Sequence, residues 1–235
     1  MGPAPSDAAF MALIRAIAAG DAPAAHDLLA ASTGLALAHV QHGATRQAAQ
    51  AYYLNDIEHH LYAGDTALHM AAAAFRRDVA ELLVARGAAC RARNRRGAEP
   101  LHYAADANRW DPIAQADTIE YLISAGADPN ALDRSGVSPL HRAVRTRSLA
   151  AVRALVDGGA DSRRPNKAGS TPLHLAVQTT GRGGSGSPRA REQQAAIVKL
   201  LLEKGARPSD RDGRGRTAPQ AANAEWIKAV LEDGG

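Results

Sequence analysis

The sequence predicts an all-α repeat solenoid, a stack of helix pairs in which each unit packs only against its neighbours. Three observations carry this prediction. A four-residue box of the form Thr/Ser-Pro-Leu-His recurs, with starts at Thr66, Glu99, Ser138, Thr171 and, in altered form, Thr217. A Gly-Ala pair follows four apolar, helix-like runs, at Gly87, Gly126, Gly159 and Gly205. From each of these glycines to the next box the distance is 12 residues.

The variable part of the repeat is its helical half. Box starts are separated by 33, 39, 33 and 46 residues, and the distances from box to glycine are 21, 27, 21 and 34. The extra residues of the second and fourth copies therefore fall between box and glycine, within Asp106–Asp117 and Thr179–Glu192. We predict two insertions at the turns between paired helices, where the loops of repeat proteins often form a binding face.

Each repeat can be divided into a first helix, a second helix and a link. Proline in most boxes suits the first turn of a helix, where a missing N–H costs nothing, and Thr or Ser beside it can cap exposed amides. The second helix carries apolar residues at helical spacing, such as Val79, Leu82 and Leu83, and ends at a glycine suited to the left-handed C-terminal position. The link that follows is mostly polar and rich in turn residues, which predicts a hairpin-like connection.

The 33-residue spacing, the box and the Gly-Ala-Asp pieces resemble the ankyrin repeat family over about residues 61–235. This resemblance implies stacked helix-turn-helix units with projecting hairpin-like links. It also implies that the box histidines, His69, His102, His141 and His174, form structural hydrogen bonds within and between repeats. A metal site is not expected, because successive repeats would place these histidines roughly 10 Å apart.

The chain ends depart from the repeat, as the terminal units of a solenoid must. Residues 1–32 are predicted to form an N-terminal capping helix pair without the box. Residues 33–60 are predicted to be a divergent repeat or a helical insertion, with Gln47–His60 helical because Tyr53, Leu54, Ile57 and Leu61 can share an apolar side. Residues 61–235 complete one continuous solenoid domain that ends in a C-terminal cap.

Arginines concentrate in the links between repeats, although the net charge is only +4. Because the links stack, these arginines are predicted to form a partly basic ridge that extends along one first helix, with aspartates interspersed. Aromatic residues in the 33–60 segment and in the first insertion are further candidates, since Tyr and Trp are frequent in binding hot spots. The predicted partner-binding residues are Arg95, Arg96, Arg134, Arg142, Arg145, Arg164, Tyr52, Tyr53 and Trp110.

A protein–protein interaction module is the function that these features favour, with a partner held by the hairpin tips and the concave helix face. The alternative is binding of nucleic acid or another polyanion by the arginine-rich ridge, which is less favoured because aspartates interrupt it. The chain is not expected to be an enzyme or to hold a cofactor. The glycines at 181, 183 and 186 match G-x-G-x-x-G but follow a helix rather than a strand, and the pairs His39/His42 and His59/His60 accompany no catalytic motif.

A single cysteine, Cys90, excludes an intrachain disulfide and favours a reducing compartment. The apolar run from Ala8 to Ala19 is cut by Arg15 and is too short for a membrane span. We therefore expect a cytoplasmic, monomeric protein without membrane partners, and the Ala- and Arg-rich composition favours a bacterial source.

Overall fold

The computed structural model describes residues 7–106, 111–178 and 186–233, in which α-helices form two stacked rows. The inner row contains α1 (Asp7–Ala19), α3 (Ala67–Ala73), α5 (Pro100–Ala104), α7 (Pro139–Thr146), α9 (Pro172–Ala176) and α11 (Ala218–Ala221). The outer row contains α2 (Ala22–Ala31), α4 (Arg77–Ala85), α6 (Pro112–Ser124), α8 (Leu149–Asp157), α10 (Pro188–Glu203) and α12 (Glu225–Asp233). Successive helices of each row contact one another. The predicted all-α repeat solenoid is confirmed.

Small aliphatic side chains fill the core between the two rows. The leucine of each full box is buried, as is a leucine in the facing outer helix of the same repeat, for example Leu140 in α7 and Leu155 in α8. Alanines buried beside them, such as Ala143 and Ala151, allow the helices to approach closely. Among the helices of the described ranges, none has the length and apolar character needed to cross a membrane.

The box caps its own helix through its histidine. The amide of Thr66, the residue before α3, donates to Nδ1 of His69 at 3.1 Å, and the other three full boxes repeat this contact at 3.1–3.3 Å. The histidine thus occupies the third helical position, where Glu or Gln closes the usual capping box. In the altered box Gln220 takes this place, and its Oε1 accepts from the Thr217 amide at 2.9 Å.

The same histidines connect each repeat to the next. Nε2 of each ring lies 3.0–3.1 Å from the carbonyl oxygen that precedes the following box, which belongs to Ala98, Val137, Ser170 or Arg216. Because Nδ1 accepts an amide hydrogen, the ring proton must be on Nε2, and the ring is a neutral donor. The expectation that the box histidines are structural, within and between repeats, is confirmed.

The links between repeats are tight hairpin-like turns. In each of them an Asn or Asp side chain accepts from the backbone amides two and four residues later, as Asp133 does from Ser135 at 2.8 Å and from Val137 at 3.0 Å. A glycine three residues after the Asn or Asp has a positive φ, 71° at Gly136, which favours glycine. Adjacent turns are joined by backbone hydrogen bonds, such as Arg134 N–H to the carbonyl of Arg96 at 2.9 Å. The predicted hairpin-like links are confirmed.

Both insertions lie between paired helices, as predicted. The second helix that follows each of them is longer than the nine-residue α4 and α8: α6 has 13 residues and α10 has 16. Asp111 and Ser187 cap these helices, each accepting from an amide three residues later. The predicted binding residue Trp110 and the first two glycines of the Gly-rich run, Gly181 and Gly183, lie outside the described residues.

The prediction of a helix over Gln47–His60 is wrong. The segment contains two short 3-10 helices, Gln50–Tyr52 and Asn55–Ile57, and two paired two-residue strands, β1 (Tyr53–Leu54) and β2 (His59–His60). We call residues 53–60 the insertion hairpin. Residues 39–44 and 61–66 pair antiparallel, with Val40 N–H donating to Asp65 at 2.7 Å and Ala44 N–H to Leu61 at 2.7 Å. Tertiary pairing therefore overrides the local periodicity, and Ile57 and Leu61 are buried without a continuous α-helix.

The neutral box histidines predict a loss of stability in acid. Burial, together with the nearby charge of Arg142, lowers the pKa of His102 from its ordinary 6.5 to about 3. The stabilisation that neutral His102 provides is complete at pH values above the pKa of the unfolded state, about 6.5. It is lost as the pH falls from there towards 3. At about pH 5 the loss from His102 alone should be about 2 kcal/mol. Urea unfolding at about pH 7 and pH 5 measures it.

The matched control is His102→Gln, because Gln220 already fills the equivalent position in the altered box. The variant should lose less stability than the wild type between the two pH values. Every other titrating group is the same in the two proteins, so the difference between their losses reports His102. Equal losses in the two proteins would contradict a neutral, buried His102.

A candidate partner-binding groove

Two adjoining cavities form a groove on the face made by the inner helices and the links. We call it the inner groove. Its cavities measure about 210 and 360 Å³. Both are lined by Arg96, Asp106 and Arg142. The first is also lined by Glu58, His59, His60, Tyr62, Ala98 and Tyr103, and the second by Asp133, Ser135, Val137, Arg145 and Thr146.

An ion triad centred on Arg142 forms the middle of the groove. The α7 guanidinium donates to Asp106 Oδ2 at 2.7 Å and to Asp133 Oδ2 at 3.1 Å, and only 14% of the Arg142 side chain is exposed. Burial favours a higher pKa for Asp133, but hydrogen bonds from the Val137 amide, Arg142 and the Ser135 amide outweigh it and hold the pKa below its usual value. Arg142, predicted as a contact residue, therefore fixes the shape of the groove.

Arg96 enters the groove from the first link and lies against an aromatic face. Its guanidinium carbon is 4.8 Å from the centre of the Tyr62 ring, a cation–π distance. The neighbouring Arg95 lies 5.5 Å from the same ring and donates to the carbonyl of Ala44. Tyr62 thus sets the direction of both predicted arginines, while the Arg96 side chain stays exposed.

The floor of the first cavity rests on a buried carboxylate. Asp65 is fully buried and accepts from the Tyr103 hydroxyl at 2.8 Å, from Asn94 Nδ2 at 2.8 Å and from the Tyr62 amide at 2.7 Å. Burial and the charge of Asp65 raise the pKa of Tyr103 well above its usual value, so the phenol remains a hydrogen-bond donor. This network joins the first box, the first link and α5.

The insertion hairpin supplies the end wall of the groove. The His59 ring stacks on Tyr103 with 4.5 Å between ring centres, and Nδ1 of His59 lies 2.9 Å from the His60 carbonyl oxygen. Burial lowers the pKa of His59, which keeps the stacked ring neutral near pH 7. The predicted residue Tyr53 belongs to the same hairpin and packs against the His60 ring, with 4.8 Å between ring centres, but it lines neither cavity.

The remaining predicted contact residues are dispersed. Arg145 lies in the second cavity, exposed on α7. Tyr52 lines a separate cavity beside α1. Arg134 is exposed on the second link, and the Nε of Arg164 is buried with no hydrogen-bond partner within the described residues. The structure thus places Arg96, Arg142 and Arg145 together in the groove, with Arg95 beside them. Arg134 adjoins Arg96 through the backbone of the next link, whereas Arg134, Arg164 and Tyr52 line neither cavity of the groove.

Several residues of the groove were not among the candidates. Tyr62, Tyr103 and Asp106 carry no motif of their own, and they meet Arg142 only through stacking of repeats. His59 and His60 stood out as a histidine pair, but nothing in their spacing indicated a wall against α5. Their position depends on the antiparallel return of residues 61–66.

Ion pairs neutralise part of the predicted basic ridge. Arg91 pairs with Asp128, Arg93 with Glu99, Arg163 with Asp210 and Arg216 with Asp212, at 2.8–3.2 Å. These acids come from the same links or from the next ones. Other arginines of the links, among them Arg96 and Arg134, form no ion pair within the described residues, so the ridge keeps part of its positive charge.

Comparison with protein families places the chain among the ankyrin repeat proteins. The family model described as ankyrin repeats (3 copies) matches residues 11–133 and again residues 113–212. The chain belongs to this family, whose members are generally protein–protein interaction modules. The match begins within α1, so it includes the helix pair that lacks the box. A search of curated proteins found no match.

Two arginines on α7, three positions apart, should respond differently to truncation. Arg142→Ala leaves Asp106 and the largely buried Asp133 without their cation, and should lower the free energy of unfolding by about 2 kcal/mol. Arg145→Ala removes an exposed side chain and should change it by less than about 0.5 kcal/mol. Urea unfolding of both variants at neutral pH measures the difference. Equal effects would show that the Arg142 triad does not organise the groove.

Proposed function

We propose that this protein is an interaction module whose inner groove and adjoining link turns bind a segment of a protein partner. The observation that carries the proposal is the groove itself, a continuous depression built from inner helices, links and the insertion hairpin. The protein's membership in the ankyrin repeat family supports protein binding in general. The insertions around Trp110 and Gly183 are proposed to add specificity.

The groove is suited to binding because its walls are already in place. Arg142 is held by two carboxylates, Tyr103 by Asp65, and Arg96 by the Tyr62 ring. A partner therefore orders few side chains on this surface, which lowers the entropic cost of association. The same arrangement favours binding over catalysis, because Asp106 and Asp133 are committed to Arg142 and are not positioned as free acids or bases.

Binding of nucleic acid is less favoured than binding of protein. A polyanion binds best to a continuous row of uncompensated cations, whereas the link arginines at positions 91, 93, 163 and 216 each have a carboxylate partner and interrupt such a row. Asp106, Asp133 and Glu58 also line the groove, so the closely spaced phosphates of a polyanion would meet carboxylates as well as arginines, which a segment with isolated negative charges avoids.

A reducing, cytoplasmic setting and a monomeric state complete the proposal. Cys90, the one cysteine of the chain, is buried, and burial raises the pKa of its thiol, which makes it unreactive. A buried, unpaired thiol fits a compartment in which disulfides are not maintained.

Affinity capture from native lysate with quantitative mass spectrometry tests the groove. The bait variants are Arg96→Glu/Arg145→Glu and, as a matched control, Arg153→Glu, since Arg153 is exposed on the outer helix α8. A protein recovered by the wild type and the control should be reduced about tenfold by the groove variant, because charge reversal places repulsion in the contact.

Equal recovery of every protein by all three baits would exclude the inner groove as the binding surface. Recovery of nucleic acid alone, with a yield that falls steeply as salt rises, would replace protein binding by the polyanion alternative.

A further inference from the structure

The two carboxylates at the centre of the inner groove already accept hydrogen bonds from the protein itself. Asp106 accepts from Arg142 through Oδ2. Asp133 accepts from Arg142 through Oδ2 and from the amides of Ser135 and Val137 through Oδ1. Asp106 and Asp133 are therefore committed to Arg142 within the protein.

Two arginines of the groove are not committed in this way. Arg96, in the first link, and Arg145, on α7, are exposed and line the groove together with Arg142. Neither has a carboxylate partner within the described residues. The Tyr62 ring lies against the guanidinium of Arg96, 4.8 Å away, which leaves its N–H groups available at the edge of the plane. The hydrogen-bonding groups that these two arginines leave unused are therefore N–H donors.

A ligand that complements this surface must bring acceptors with negative charge. A guanidinium binds a carboxylate through two parallel N–H···O bonds, which are among the stronger hydrogen bonds in proteins. A basic side chain would be repelled by Arg96 and Arg145, while Asp106 and Asp133 are already paired with Arg142. We infer that the inner groove recognises an acidic segment of its protein partner, with Asp or Glu side chains paired to Arg96 and Arg145.

The size and charge of the groove favour isolated acidic side chains in a peptide. The first cavity, of about 210 Å³, has room for a side chain, and the second, of about 360 Å³, continues the groove past Arg142. Asp106 and Asp133 line the same cavity as the two free arginines, so the partner's negative charges should be separated by neutral residues. This inference rests on the proposed function, since it assigns the chemistry of the partner segment.

The test selects peptides on the whole protein from a random phage-display library. Panning is done in parallel on the wild type, on Arg96→Gln/Arg145→Gln and on the matched control Arg153→Gln. Circular dichroism confirms that the variants are folded. The best peptide from the wild type is then synthesised together with a version in which Asp and Glu are replaced by Asn and Gln, and fluorescence anisotropy measures the binding of both.

Peptides selected by the wild type and by Arg153→Gln should be enriched in Asp and Glu. The groove variant and the amide version of the peptide should each weaken binding about tenfold, because each removes the charged hydrogen bonds. The amide version leaves the protein unchanged, so its result does not depend on how the variants fold.

The remaining outcomes distinguish the two proposals. Peptides that lack acidic enrichment and bind the wild type and the groove variant equally well would overturn the acidic-segment inference. Chemical cross-linking of such a peptide to the protein would then show whether it lies in the inner groove, and so whether the groove remains the binding surface. If no peptide is selected above an unrelated immobilised protein, peptide-segment binding itself is overturned, and the acidic-segment inference with it.

Discussion

The hydrogen bonds of the box histidines are the interaction on which the structure depends. Each ring accepts an amide hydrogen at the start of its own helix and donates to a carbonyl that precedes the next box. The first bond fixes where the inner helix begins, and the second fixes how far away the next repeat lies. Because both bonds are buried, an unpaired ring would leave polar groups without partners at a cost of about 1–3 kcal/mol. A neutral imidazole suits both roles at once, since its two nitrogens are one acceptor and one donor.

This fixed stacking is what makes the inner groove a preformed surface. Arg142 on α7 reaches Asp106 after α5 and Asp133 in the link between them only if neighbouring repeats keep their spacing. The Asp65 network joins the preceding units in the same way, through Tyr103 and Asn94. On the frame so defined, the insertion hairpin adds a wall that regular repeats do not have. The groove thus combines a surface formed by the stacked repeats with a segment that the regular repeats of this chain lack.

The sequence predicted the repeat frame well because the frame is made of local signals. Proline, the box histidine and the link glycines each act within a few residues, so their spacing located the helices, links and insertions. The segment at 47–60 could not be predicted in this way, since Tyr53, Ile57 and Leu61 have helical spacing while the backbone is paired through residues 39–44 and 61–66. The groove was predicted in part. Arg96 and Arg145 were recognised as candidates, but the structural role of Arg142 depends on Asp106, 36 positions earlier, which no local pattern connects to it. The contact roles of all nine predicted partner-binding residues stay predictions.

The central claim is that neutral box histidines lock the repeats and so preform the groove. Long-range ¹H–¹⁵N NMR of the histidine side chains, recorded at about pH 5.5, tests it directly because the two ring nitrogens have distinct shifts in each protonation state. His69, His102 and His141, whose pKa values burial lowers, should be neutral at this pH with the proton on Nε2. Protonation of these three rings at this pH, or a proton on Nδ1, would contradict the claim, because neither form can cap its own helix and donate to the next repeat.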